Sequence, residues 1–266
     1  MEHGGACSAL DAVILYLILD IKGDDIIINF ISVHPVRNVL SGRAIALLHN
    51  TGNSVNGAGG MVTKTTGTTT VGLIFDGGVV LATDKRVTMG YFIAHRQGRK
   101  IYQIDDHLGI TISGVVADAQ AVIDVLRYGA KQYRVEQGRP MPVRSAASMA
   151  ANLFFSYRLF PLIADVLIGG FDGSPGLYNI DFFGAMSSEK YVSTGSGSPV
   201  AYGVLESGYR EGLSEDDAVS LAVKAVHYAM KRDSASGDGI DAVILDAHGY
   251  REVDQETKRR IISALG

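Results

Sequence analysis

After Met61 the apolar positions fall into short runs bounded by turn residues. "TTTVGLIF" and "VVLAT" flank Asp76-Gly77-Gly78. They predict a β-hairpin, because β-branched residues favour strands and glycine accepts the positive φ of a tight turn. "KIYQI" and "LGITISG" form a second strand pair around Asp105-Asp106-His107. The pattern then changes. In "DAQAVIDVLRYGAKQYRVEQG" the residues Val122, Val125, Leu126 and Tyr133 recur at helical spacing, and "PVRSAASMAANLFFSYRLF" predicts a second helix, rich in small residues. Strands return in "ADVLIGGF" and "GLYNIDFF" about the turn "DGSPG". Helices follow at "SPVAYGVLESGYRE" and "SEDDAVSLAVKAVHYAMKRD", where Ser214 with Asp217 resembles a capping box. "GIDAVILDAHG" is a last core strand, and a short helix closes the chain.

The order is strands, two helices, strands, two helices, strand, without the strand-helix alternation of a parallel doubly wound sheet. It predicts an α+β fold: a four-layer αββα sandwich of two antiparallel sheets flanked by helix pairs. No internal repeat recurs at a fixed period. Before Met61 the pattern is irregular, with the apolar patches "AVILYLIL" and "IIINFISV" and then the polar, glycine-rich "NTGNSVNGAGG", which reads as linker. The run Ala12 to Ile21 is bounded by Asp11 and Asp20 and falls short of the roughly 20 apolar residues of a membrane span. "MEHGG" offers no basic start for a signal peptide.

A chain of 266 residues, 47% hydrophobic, can bury one good core, so one main domain is expected. The formal net charge of -4, without a block of like charges, provides no basic footprint for nucleic acid. Lys258, Arg259 and Arg260 read as the solvated face of the terminal helix. Cys7 is the sole cysteine, which excludes an internal disulfide framework and a cysteine metal site and fits a reducing, cytoplasmic compartment. The seven histidines show no pair at ligand spacing, so no metal site and no cofactor are expected.

Candidate chemistry begins at "TKTTGTTTVG", Thr63 to Gly72. Threonines alone suit a strand start. Gly67 changes the picture, because a hydroxyl directly after glycine can reach the preceding carbonyl with little steric obstruction. An N-to-O acyl shift there leaves an ester that water can cut, freeing a threonine that carries hydroxyl and amine on one residue. An α-amine has a pKa of about 7.7 to 8.0, so a useful fraction is neutral at physiological pH and acts as base for the hydroxyl. What else such a site needs is a fixed positive charge held by an acid, and a backbone N–H aimed at the oxyanion.

Six stretches, "GTTTVGLIF", "LATDKRVTMG", "GRKIYQID", "SGVVADAQ", "STGSGSPVAYGVLE" and "KRDSASGDGID", in that order, resemble the archaeal proteasome β subunit family, threonine peptidases of the N-terminal nucleophile fold. The resemblance runs from Met61 almost to the C-terminus. It implies Thr68 as the nucleophile and Gly67 as the last leader residue, which makes 1–67 a propeptide and 68–266 the peptidase domain. Thr63, Thr65, Thr66, Thr69 and Thr70 are then leader or strand threonines. The resemblance further implies Lys100 as the catalytic lysine, acting by charge or as a proton relay, with Asp84 holding it. Gly114 becomes the oxyanion donor, and Ser196, Asp233 and Ser236 the groups around the threonine amine and hydroxyl. Val87, Thr88, Gly98, Tyr102, Ile112 and Val116 become substrate-pocket positions, mostly apolar or small, with cleavage after large hydrophobic residues expected.

The same resemblance implies homo-heptameric β rings stacked in pairs between rings of a separate α subunit, an ATP-dependent unfoldase acting through the α ring, and unfolded polypeptides as substrates. Helices rich in small residues, such as Ser145 to Ala151, suit close packing in an assembly or an ordinary core. Residues 1 to 60 have no counterpart in the family. They are read either as an upstream extension, translation beginning at Met61, or as a long propeptide. The alternatives to the main reading are a related bacterial two-ring threonine peptidase and a catalytically silent ring subunit. "RDSASG" and "SPVAYGVLE" favour the archaeal type, and the joint presence of Gly67, Thr68, Asp84 and Lys100 favours an active one.

Overall fold

The computed structural model of the chain describes residues 15–22, 25–32 and 67–265. Two compact units divide it, Met1–Gly60 and Met61–Gly266. The first holds strands β1 (Leu15–Lys22) and β2 (Asp25–Ser32), an antiparallel hairpin with Leu15 opposite Ser32 and Lys22 opposite Asp25. The two apolar patches read as irregular therefore carry strands. The expected linker and Thr63, Thr65 and Thr66 lie outside the described residues.

In the second unit one sheet has the order β12-β3-β4-β13-β14, built from β3 (Thr70–Phe75), β4 (Gly78–Asp84), β12 (Tyr191–Thr194), β13 (Ile240–Asp246) and β14 (Gly249–Glu252). The other has the order β11-β10-β9-β8-β7, from β7 (Ile101–Asp105), β8 (Leu108–Gly114), β9 (Ala164–Phe171), β10 (Pro175–Ile180) and β11 (Met186–Ser188). A small hairpin, β5 (Val87–Met89) with β6 (Phe92–His95), stands apart from both. Every strand pairing among the described residues is antiparallel. The β3–β4 turn at Asp76-Gly77 forms as the sequence predicts, with Gly77 at φ +104° and Phe75 opposite Gly78.

Side chains of successive strand residues point to opposite faces, and that alternation builds the layers. On β4, Val79 and Leu81 face the other sheet while Val80 and Ala82 face the helices. On β13, Val243 and Leu245 face inward while Ala242 and Ile244 face the helices. On β9, Leu167 joins the inter-sheet layer while Val166 and Ile168 meet the other helix pair. Strands covered on both faces lose the polar half of the alternation, which is why β4 reads as a nearly continuous apolar run. Helices α1 (Val116–Gln137) and α2 (Val143–Ser156) cover one sheet; α3 (Ser198–Gly208) and α4 (Glu215–Met230) cover the other, giving the expected αββα sandwich.

Local chemistry sets the helix ends. Gly138 closes α1 in the left-handed region at φ +66°, its N–H on Arg134 O, and Ser214 Oγ caps α4 by accepting from Asp217 N–H at 3.2 Å. The small residues of α2 serve the core, since Ala146, Ala147, Ala150 and Ala151 are buried against the sheet.

Two expectations need correction. On α1, Val125 is 42% exposed, and the buried stripe runs through Ala119, Val122, Ile123, Leu126 and Ala130. On α5 (Gln255–Ser263), Arg259 and Arg260 are exposed but Lys258 is buried, its ammonium 3.9 Å from Asp241. Its long stem packs inward while its charge finds a carboxylate there, which a run of three basic residues does not reveal.

Candidate active site

Antiparallel pairing brings one end of the sandwich together. Thr68 lies just ahead of β3, Asp84 ends the neighbouring β4, and Lys100 lies just ahead of β7 on the other sheet. Ser196 stands in the β12–α3 turn; Asp233 and Ser236 stand in the loop between α4 and β13, whose first residue Ile240 pairs with Asp84. Positions up to 168 residues apart in sequence, Thr68 and Ser236, are thereby united.

Asp84 is fully buried and accepts four hydrogen bonds. Its Oδ1 takes Lys100 Nζ at 2.7 Å and Thr69 N–H at 3.0 Å, and its Oδ2 takes Arg86 N–H at 3.0 Å and Gly237 N–H at 2.9 Å. Four donors satisfy both carboxylate oxygens, so the side chain is locked as an acceptor. Lys100 is 7% exposed; burial pushes its amine below the ordinary lysine value, and the Asp84 charge opposes that push.

A second network reaches the backbone of Thr68. Ser196 Oγ accepts Thr68 N–H at 3.1 Å and donates to Asp233 Oδ2 at 2.6 Å, where Ser236 Oγ also donates at 2.6 Å. Thr69 Oγ1 lies 2.7 Å from Ser236 Oγ. Each hydroxyl has one proton, and the serine protons are committed to the carboxylate, so Thr69 is the donor to Ser236. Thr69, which the sequence offers only as a leader or strand threonine, thus touches both networks, its N–H on Asp84 and its hydroxyl on Ser236.

Close approach explains two glycines. A Cβ on Gly195, at φ +92°, would overlap the Thr68 carbonyl oxygen. A Cβ on Gly67 would interpenetrate the Ala235 methyl and stand 2.8 Å from Ser196 Oγ, so the residue before Thr68 has no room for a side chain. An amide bond joins Gly67 to Thr68 in the translated chain. Its nitrogen is an amide whose lone pair is delocalised, so it becomes a base only once the bond is cut.

Beside Thr68 opens a cavity of about 250 Å³ lined by Gly67, Arg86, Val87, Thr88, Met89, Ala94, Arg99, Lys100, Tyr102, Ile112, Gly114, Val115 and Ala119. Four expected pocket positions, Val87, Thr88, Tyr102 and Ile112, line it. Gly98 does not; a Cβ there would overlap Val87 Cγ2, so its role is to let Val87 sit where it does. The side chain of Val116 lies outside the described residues. Met89, Ala94, Val115 and Ala119 were not foreseen. Gly114 faces the cavity at φ +141°, a backbone geometry that suits glycine. Arg99 and Arg86 are committed elsewhere, Arg99 to Ile101 O and Glu252, Arg86 to Asp238 and Ser234 O.

Among the described residues no group of His, Cys, Asp and Glu could hold a metal ion, and no helix is long and apolar enough to cross a membrane.

The proteasome subunit family model matches residues 64–245. The chain is 46% identical over 198 residues to proteasome subunit beta 2 of Cenarchaeum symbiosum, covering 74% of this chain and 94% of that one. It is 47% identical over 207 residues to proteasome subunit beta of Methanothrix thermoacetophila, covering 77% and 100%. With proteasome subunit beta 1 of Caldivirga maquilingensis it shares 50% identity over 192 residues, covering 71% and 93%.

Proposed function

The chain belongs to the proteasome subunit family, as a β subunit of the archaeal type, and from that premise we propose that it is a threonine endopeptidase that cuts itself between Gly67 and Thr68. The observation that carries this reading is the meeting of two hydrogen-bond networks directly after Gly67, one through Ser196, Asp233 and Ser236 that reaches Thr68 N–H and one through Asp84 and Lys100 that reaches Thr69 N–H.

In self-cleavage the Thr68 hydroxyl attacks the Gly67 carbonyl, the C–N bond breaks as nitrogen takes a proton, and water hydrolyses the resulting ester to a Gly67 carboxyl and a free threonine. Residues 1–67 leave and 68–266 remain as the enzyme. On a substrate the same hydroxyl attacks, the new amine serves as its base, the Gly114 N–H meets the oxyanion, and water deacylates the ester. Lys100 acts mainly by charge, which favours the alkoxide, and Asp84 fixes its position.

The apolar lining contributed by Val87, Met89, Ile112, Val115 and Ala119, with both arginines paired elsewhere, favours cleavage after large hydrophobic residues. Fluorogenic peptides ending in acidic or basic residues should be cut more slowly, and equal or faster cleavage of them counts against this preference. The β subunit assembles into a core with α subunits; seven-membered β rings stacked in pairs, an ATP-dependent unfoldase upstream and a cytoplasmic location complete the proposal and rest on the family. The N-terminus of the purified subunit is the test. Intact mass and N-terminal analysis should find Thr68 first, and Thr68→Ala should abolish self-cleavage and peptidase activity. A different mature start refutes the processing scheme, and a Thr68→Ala chain that cleaves peptides at the wild-type rate refutes the assignment of the nucleophile.

A further inference from the structure

Two hydrogen bonds bracket the Gly67–Thr68 peptide. Downstream, Thr68 N–H donates to Ser196 Oγ at 3.1 Å; upstream, Gly67 N–H donates to Thr88 Oγ1 at 3.2 Å. The family resemblance makes Thr88 a pocket-lining residue and no more. We propose that the Thr88 hydroxyl is a positioning residue for leader removal, holding the peptide unit upstream of the scissile carbonyl in register with the Thr68 hydroxyl. This inference rests on the reading of Thr68 as a self-cleaving nucleophile.

The placement of Thr88 depends on a local irregularity. Successive strand residues face opposite sides, yet Val87, Thr88 and Met89 all line the cavity. The β5–β6 hairpin shifts register between Val87 and Thr88, and such an irregularity re-aims a side chain. Thr88 is 6% exposed, so the hydroxyl that meets the leader works away from bulk water.

Gly67 is the residue that most needs such a restraint. Glycine has more backbone freedom to lose than any other residue, and it has no side chain by which to be gripped. Ala235 walls off one side of it, Ser196 holds the amide that follows its carbonyl, and Thr88 holds the amide that precedes it. Together these contacts fix the two peptide planes that set the carbonyl's direction. Orientation of this kind lowers a barrier by removing the entropy of alignment. Threonine suits the position because its hydroxyl accepts the N–H while its methyl restricts χ1.

The test follows cleavage of the full chain at Gly67–Thr68 by timed intact-mass analysis, comparing wild type with Thr88→Val and Thr88→Ser. Valine keeps the shape and removes the acceptor, and loss of one oriented hydrogen bond should slow cleavage by about five- to tenfold. Serine keeps the acceptor and should cleave within about twofold of wild type. A second measurement uses chains kept uncut by Thr68→Ala: hydrogen exchange at the Gly67 amide should quicken with Thr88→Val and stay slow with Thr88→Ser. Valine cleavage at the wild-type rate, serine as slow as valine, or unchanged exchange at Gly67 would each overturn the assignment. A wild-type chain not cut at Thr68 brings down the parent reading as well, an outcome visible before any variant is compared.

Discussion

Replacing Gly67 with alanine adds a single methyl directly ahead of Thr68, to a residue that in the proposed scheme is cut away, so the structure predicts its effect on that self-cleavage. The obstacle is a wall. The new methyl would interpenetrate the Ala235 methyl and stand 2.8 Å from Ser196 Oγ and 3.3 Å from Ala235 Cα, inside the about 3.5–4.0 Å at which carbon atoms rest. Ala235 cannot turn aside, having no rotatable side chain, and its loop is tied by Ala235 N–H to Asp233 Oδ1 and Ser236 N–H to Asp233 O. The leader must retreat, and displacing a reacting group by about 1 Å costs on the order of a hundredfold in rate, or about 2.7 kcal/mol of barrier. Timed intact-mass analysis of the Gly67→Ala precursor should therefore show cleavage slowed about a hundredfold. Ala235→Gly on the same chain removes the worst overlap but leaves the Ser196 contact, and should recover roughly tenfold of the loss. A Gly67→Ala precursor that matures at the wild-type rate, or a double variant with no recovery, would refute the steric explanation.

Three further outcomes are expected. Asp84→Asn sets an amide donor against N–H groups and strips a buried lysine of its counter-charge, so urea unfolding should show a loss of about 3–5 kcal/mol together with lost peptidase activity; a stability change within about 0.5 kcal/mol would contradict the buried-pair description. Burial lowers the Lys100 pKa, so a peptidase that uses its charge should be most active below that lowered pKa and lose activity as pH rises through it, before the about 10.4 of an ordinary lysine. The unfolded amine keeps its proton longer than the native one across that window, so Lys100's contribution to stability rises with pH there. Circular dichroism alongside activity separates the two effects, and activity still climbing at about pH 10.4 would favour the proton-relay role instead. Ser214→Ala removes the acceptor for Asp217 N–H at the start of α4 and should cost about 1 kcal/mol by denaturant titration; no measurable change would mean that the cap adds nothing to the helix.

How legible the site was varied by residue. Gly67 and Thr68 stand side by side, and Asp84 and Lys100 sit in compact motifs, so the resemblance points to them directly as candidates. Thr69 and Ala235 gave no signal: one looks like any strand threonine, the other like any loop alanine. Their roles exist only where β3, the β12–α3 turn and the α4–β13 loop meet. Arg99 and Arg86 line the cavity yet are paired elsewhere, a fact of three-dimensional partners that a list of charges does not contain. Val115 and Ala119 carry no motif of their own, and their place at the cavity follows from the passage of β8 into α1.

Sequence by itself determined the layers. The order of strands, two helices, strands, two helices, strand excludes a parallel doubly wound sheet, and the nearly continuous apolar runs of β4, β9 and β13 mark strands covered on both faces. It also determined the helix ends at Gly138 and Ser214, where a single residue's backbone preference or hydroxyl suffices. Tertiary structure alone decided the short strands β5, β6, β11, β12 and β14, whose three or four residues carry too little pattern and whose pairing depends on distant partners. It decided that Val125 faces out and Lys258 in, and that Thr88 turns toward Gly67 beside a register shift. The physical reason is the same in each case: a period is written along the chain, whereas burial, charge pairing and close approach depend on what the fold sets opposite each residue.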